Sequence, residues 1–127
     1  MLPKKILIID DNPLCQKLFH DLVRLTGHQS QSCSSAEEGL MYLEHNKVDL
    51  LLLDLQLPLM SGGELLKKIT ENKKLTEIKV IIVSSFSQSA INNPLVKEYI
   101  QKPISVLDFM ETLTKTLMGP SQCQLAS

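Results

Sequence analysis

The sequence contains no tryptophan, three phenylalanines and two tyrosines, too few aromatic rings to build a platform on which bases stack. It has no excess of either charge. Thirteen Lys and Arg face fourteen Asp and Glu, a formal net charge of −1, so no overall field draws the chain to nucleic acid or to an anionic membrane. Cysteine is scarce: Cys15, Cys33 and Cys123 are odd in number and show no CxxC or metal-ligand spacing. That excludes a disulfide scaffold and fits a reducing, cytoplasmic compartment. Long apolar runs are missing too. Residues 1–10 hold only Ile6-Leu7-Ile8-Ile9 before two aspartates, which is neither a signal peptide nor a membrane span. What is present is an ordinary globular composition, 43% hydrophobic and 21% charged over 127 residues. At roughly 100–200 residues per domain this predicts one compact domain with no room for a separately folding output domain.

Three short runs, Ile6-Leu7-Ile8-Ile9, Leu50-Leu51-Leu52-Leu53 and Val80-Ile81-Ile82-Val83, are apolar at every position. A run too short for a helix and apolar on both faces reads as a central strand of a parallel sheet covered on both sides. Gln29–Cys33 and residues 98–102 are more polar and read as the two edge strands, the second ending before Pro103. Helical spacing fills the intervals. Leu14, Leu18, Leu22 and Leu25 follow Asn12-Pro13, and Ala36, Leu40 and Leu43 follow a capping box at Ser35 and Glu38. A third helix runs from Gly63 through Leu65, Leu66 and Ile69. The last starts at an N-cap Ser105, carries Phe109, Met110, Leu113 and Leu117, and stops at Gly119-Pro120. This alternation predicts an α/β domain over 1–118, a doubly wound five-stranded parallel sheet with helices on both faces, followed by a polar tail over 119–127. His20, His28 and His45 are scattered and read as solvated surface residues.

In open parallel sheets ligands bind beyond the carboxyl ends of the strands. The side chains expected there are Asp10 and Asp11 after the first strand, Asp54 after the third, Ser84 and Ser85 after the fourth and Lys102 after the fifth. Three converging carboxylates raise one another's pKa and require a compensating cation. Hard oxygen ligands on one side of a cleft suit Mg²⁺.

Asp10-Asp11-Asn12-Pro13, Asp54-Leu-Gln-Leu-Pro58-Leu-Met60-Ser-Gly62, Val83-Ser84-Ser85 and Tyr99-Ile-Gln-Lys102-Pro103 together resemble the receiver domain of two-component response regulators, the CheY-like superfamily, over residues 4–118. The stretch from Lys102 to Phe109 is similar to stand-alone receivers of the DivK type. The resemblance implies a flavodoxin-like strand order 2-1-3-4-5 and a role for each residue. Asp54 would accept a phosphoryl group from the phosphohistidine of a histidine kinase or histidine phosphotransfer protein. The Asp11 and Asp54 carboxylates and the Gln56 backbone carbonyl would ligate Mg²⁺, with Asp10 acting through water. Lys102 would pair with the phosphoryl oxygens and Ser84 would donate to one of them. Ser84 and Tyr99 would form the switch, and the Lys102–Pro103 bond would be cis. The output would be a protein contact, with no nucleic acid and no membrane insertion.

The chain departs from the family pattern between the fourth and fifth strands. Ser84 and Lys102 lie about one helical turn closer in sequence than is common, and Asn92-Asn93-Pro94 disallows a helix interior there. A short or irregular fourth helix is expected. Three other readings were weighed. An interaction module independent of phosphorylation has the same motifs. An aspartyl-nucleophile phosphatase of the haloacid dehalogenase type wants an acid two residues after the nucleophile, where Gln56 stands. A flavin binder wants a hydroxyl- and glycine-rich loop where Asp10-Asp11 would repel phosphate.

Overall fold

The computed structural model describes residues 2–57, 59–75, 77–85 and 93–118. Strand β1 spans Lys5–Ile9, β2 Gln29–Cys33, β3 Leu50–Asp54, β4 Lys79–Ser84 and β5 Val96–Gln101. All pairings are parallel, and the order across the sheet is β2-β1-β3-β4-β5. Helices α1 (Pro13–Leu25), α2 (Ala36–His45), α3 (Gly62–Glu71) and α4 (Val106–Met118), with a 3₁₀ turn at Lys73–Leu75, supply the connections among the described residues. Five parallel strands are expected from the three apolar runs and two polar edges, and the order 2-1-3-4-5 is the one the family resemblance implies.

The strand pleat divides the core in two. Leu7, Ile9, Leu51, Leu53, Val80 and Ile82 face one way and pack with Leu43 of α2 and Leu65, Leu66 and Ile69 of α3. Ile6, Ile8, Leu50, Leu52, Ile81 and Val83 face the other way and pack with Phe19, Leu22 and Val23 of α1 and Phe109 and Leu113 of α4. Successive strand residues feed opposite layers, so both parities must be apolar. This is why the central strands read as unbroken hydrophobic runs.

Helix starts follow local chemistry. Asn12 takes an extended conformation and its Oδ1 accepts from the amides of Leu14 and Cys15 at 2.8 and 3.3 Å, with Pro13 in the first turn. Ser35 caps α2 through the Glu38 amide at 3.1 Å, and Ser61 caps α3 through the Glu64 amide at 3.2 Å. Helix α3 therefore begins at Gly62, one residue before the expected start. Ser105 accepts from the amide of Asp108 at 3.4 Å at the start of α4.

Two expectations change. In α1 only Leu22 of the leucine series is buried, whereas Leu14 and Leu25 are 79% and 71% exposed. The buried face is Phe19, Leu22 and Val23, because Phe19 stacks on Phe109 of α4 with ring centroids 5.3 Å apart. Strand β5 also begins earlier than expected, at Val96, with an irregular register where it passes Val80 and Ile81 of β4. The expected short fourth helix falls on residues 86–92, outside the described residues, as do the 119–127 tail and its Cys123. Asn93 just after that stretch forms a turn, its Oδ1 accepting from the Leu95 amide at 2.9 Å and its carbonyl from the Val96 amide at 3.1 Å.

Gly39 of α2 lies against β1: a Cβ there would approach Ile9 Cδ1 to 2.2 Å, and Ile9 is fully buried. Alanine gains about 1 kcal/mol of helix propensity over glycine, whereas overpacking a closed core costs about 1–3 kcal/mol. Gly39→Ala is predicted to lose about 1 kcal/mol net in urea denaturation. A stabilised variant would show that Ile9 has room to turn aside.

Candidate functional site

The sheet carries four chain segments to one end. The ladder continues one residue past β1, where the Asp10 amide donates to the Cys33 carbonyl at 3.2 Å, and one past β5, where the Lys102 amide donates to the Ser84 carbonyl at 2.8 Å. Asp10 and Lys102 are thus held by backbone bonds although neither lies in a strand. Asp54 closes β3 and Ser84 closes β4. Asp10, Asp54 and Ser84 are 1%, 5% and 7% exposed, while Asp11 reaches solvent.

One cation joins the buried acids. The Lys102 Nζ lies 2.9 Å from Asp10 Oδ2 and 3.5 Å from Asp54 Oδ2. The other oxygens meet backbone donors: Asp10 Oδ1 accepts from the Asn12 amide and Asp54 Oδ1 from the Gln56 amide, both at 2.9 Å. Burial nevertheless dominates at Asp54 and raises its pKa, with the Asp10 charge adding to the rise. The Gln56 amide and Lys102 oppose it without cancelling it. At Lys102 burial favours the neutral amine, but the Asp10 hydrogen bond and charge, joined by the Asp54 charge, outweigh it and hold the ammonium above its ordinary range. The two directions agree once the nearer partner is recognised: Lys102 belongs chiefly to Asp10 and compensates Asp54 only in part.

Asp10, Asp11 and Asp54 each offer a carboxylate oxygen, all within 4.8 Å of one another. Adjacent oxygens around an octahedral Mg²⁺ lie about 3 Å apart, so direct ligation by all three acids would draw them closer together, whereas water can bridge the more distant ones. The set is all oxygen, which suits a hard divalent cation.

The remaining expected residues are placed as follows. Gln56 is exposed and follows Asp54 in the β3–α3 loop. Tyr99 is on β5 beside Ile82 of β4 and is 36% exposed, outside the carboxylate cluster. The Lys102–Pro103 peptide is cis. His20 and His28 differ from the expected solvated surface residues. The His20 Nδ1 meets the Ser30 hydroxyl of β2, and the His28 Nδ1 accepts from the Lys4 amide at 3.0 Å. Burial lowers the pKa of both rings.

Two contributors escaped sequence reading. Gly62 approaches the chain just after Asp54 so closely that a Cβ would lie 2.9 Å from the Leu55 Cα and 3.0 Å from the Asp54 carbonyl oxygen. Gly62 closes the Asp54–Gly62 motif, but nothing in its spacing announces a backbone contact. Gln16 of α1 donates from Nε2 to the Asp10 carbonyl at 2.6 Å, a tertiary contact without a local signature.

Residues 6–114 match the response regulator receiver domain. The chain is 36% identical over 122 residues to a polar-differentiation response regulator DivK of Brucella anthropi, covering 93% of this chain and 98% of that one. It is 37% identical over 120 residues to the Brucella ovis protein of that name, covering 91% and 97%. A CheY-like receiver domain protein from Methanospirillum hungatei superposes with a TM-score of 0.82 at 30% identity, covering 91% of this chain and 94% of that one. The receiver domain of a sensor histidine kinase from Pseudomonas aeruginosa has the same fold, with a TM-score of 0.82 at 19% identity and coverage of 93% and 100%. That structure has a magnesium ion coordinated in its active-site cleft.

The raised pKa of Asp54 sets a stability test. A carboxyl whose folded pKa exceeds its unfolded value contributes stability below the unfolded pKa, and this is lost as pH rises through the folded one. Ionised Asp54 therefore burdens the metal-free fold at neutral pH. Asp54→Asn is predicted to melt above wild type at pH 7 without divalent cations, with the gap closing as pH falls below the ordinary carboxylate range. A lower melting point for the variant at pH 7 would mean that the Lys102 and Gln56 bonds outweigh the burial.

Proposed function

Because the chain belongs to the response regulator receiver domain family, we propose that it is a phosphorylation-controlled signalling module. Asp54 receives a phosphoryl group from the phosphohistidine of a histidine kinase or histidine phosphotransfer protein. The observation that carries this reading is the Lys102 ammonium held between Asp10 and Asp54 at the carboxyl end of the sheet. A transferring phosphoryl group spreads charge over its equatorial oxygens, so the protein's task is alignment and charge compensation. The Asp54 oxygen forms the new P–O bond as the P–N bond to the donor imidazole breaks, and the imidazole keeps the electron pair and takes up a proton. The Asp54–Gln56 amide bond leaves one carboxylate oxygen oriented and the other toward Lys102.

Asp11, Asp54 and the Gln56 carbonyl are the proposed ligands of Mg²⁺, with Asp10 acting through water. Mg²⁺, when bound, neutralises charge on the transferring oxygens and keeps Asp54 ionised despite its burial. Lys102 exchanges its carboxylate partner for a phosphoryl oxygen, and the Ser84 hydroxyl donates to another. Tyr99, partly exposed on β5, is the proposed aromatic that turns inward as Ser84 is recruited. Residues 1–118 form this receiver, with 119–127 a polar tail. The output is contact with a downstream protein in the cytoplasm rather than turnover of a substrate, binding of nucleic acid or insertion into a membrane.

Incubation with a small phosphodonor and Mg²⁺ is expected to give acid-labile, aspartyl-type labelling that Asp54→Asn abolishes. Stoichiometric labelling of that variant would place the acceptor elsewhere, and an unlabelled wild type would favour a phosphorylation-independent module. Asp11→Asn is expected to weaken Mg²⁺ binding in a calorimetric titration by at least about tenfold. Unchanged affinity would remove Asp11 from the ligand set.

A further inference from the structure

Asp11 is the exposed member of the carboxylate cluster, yet the backbone that carries it is held on both sides. After it, the Asn12 amide is bound by Asp10 Oδ1 at 2.9 Å. Before it, the carbonyl of Asp10, which belongs to the peptide joining Asp10 to Asp11, accepts from Gln16 Nε2 at 2.6 Å. The same nitrogen lies 3.4 Å from the Cys33 carbonyl and 3.3 Å from the Ser34 hydroxyl. Two of these partners are carbonyl oxygens that only accept, so the amide must face them with its NH₂ group and its orientation is determined. Gln16 sits one turn into α1, behind the Asn12 cap, with its own amide bonded to the Asn12 carbonyl at 3.0 Å. It therefore ties the first turn of α1 to the ends of β1 and β2.

We propose that Gln16 is a positioning residue for the divalent cation: by clamping the Asp10–Asp11 peptide it fixes the direction in which the Asp11 carboxylate leaves the backbone. This rests on the Mg²⁺ reading of the site given above. A side chain without an NH donor at position 16 leaves the Asp10 carbonyl unclamped, and the peptide can rotate and swing Asp11 out of the cluster. Outer partners that orient metal ligands commonly alter affinity by about 10–100-fold.

The test is Mg²⁺ affinity by calorimetric titration for wild type, Gln16→Met and Gln16→Glu, alongside the melting point of each metal-free protein. Methionine keeps length and bulk but removes the donor. Glutamate also keeps the length and adds a negative charge, which by charge alone would tighten cation binding. Positioning predicts weaker binding in both, by about tenfold, with metal-free melting points close to wild type. Unchanged affinity in Gln16→Met, or affinity at or above wild type in Gln16→Glu, would overturn the proposal. Loss of the metal-free fold in both variants would also overturn it, making Gln16 a structural residue. A wild type that binds no Mg²⁺ would instead overturn the cation reading on which the proposal rests.

Discussion

The site depends on one lysine reaching two buried carboxylates. Asp10 and Asp54 lie at the ends of neighbouring strands in a sheet whose interior is leucine, isoleucine and valine, and a lone charge there would be strongly disfavoured. The Lys102 ammonium meets Asp10 at 2.9 Å and Asp54 at 3.5 Å, so the compensation is unequal. The acid left less well paired is the one proposed to react, and its burial raises its pKa by more than Lys102 and the Gln56 amide lower it. A further cation arriving beside Asp11 and Asp54 would relieve it. On the proposed reading, the same imbalance would link metal binding, stability and nucleophile strength through one group.

That arrangement requires a parallel sheet. Parallel strands that each return through a helix bring all their carboxyl ends to one side. In the order β2-β1-β3-β4-β5, β1 and β3 are neighbours and so bring Asp10 and Asp54 together. Lys102 arrives from the outer strand across β4. Its reach depends on the ladder bond to the Ser84 carbonyl, which sets where its Cα sits. Apolar layers cover both faces of the sheet, so Asp54 and Ser84 are presented by strand ends and Asp10 and Lys102 by ladder bonds just beyond them, while Asp11 and Gln56 lie in loops.

Much of this was legible from residue order, for physical reasons. Strands covered on both faces must be apolar at both parities, so β1, β3 and β4 announced themselves; Asn12, Ser35 and Ser105 marked helix starts because their side chains satisfy early amides. The acids and the lysine could be placed because strand ends converge. Periodicity failed at α1, where Leu14, Leu18 and Leu25 share the leucine pattern but Phe19 owns the core position by stacking on Phe109. That partner lies ninety residues away in sequence and has no local trace. His20, His28 and Gln16 are unreadable for a related reason, since each bonds beyond its own local segment, to Ser30, to Lys4 and to Asp10.

Strand β2, Gln29–Cys33, contributes a single buried side chain, Cys33, to the core. Its sequence is Gln-Ser-Gln-Ser-Cys, among the described residues it pairs with β1 alone, and Gln29 and Gln31 face solvent. Segments with few buried apolar groups open at a lower free energy than the core. Yet the last carbonyl of this strand receives the Asp10 amide and lies within reach of Gln16. Transient peeling of the edge would release the Asp10 amide while the central strands, and the Gln16 bond to the Asp10 carbonyl, stayed intact. The backbone order at Asp10 then rests partly on an edge strand rather than on the buried core alone.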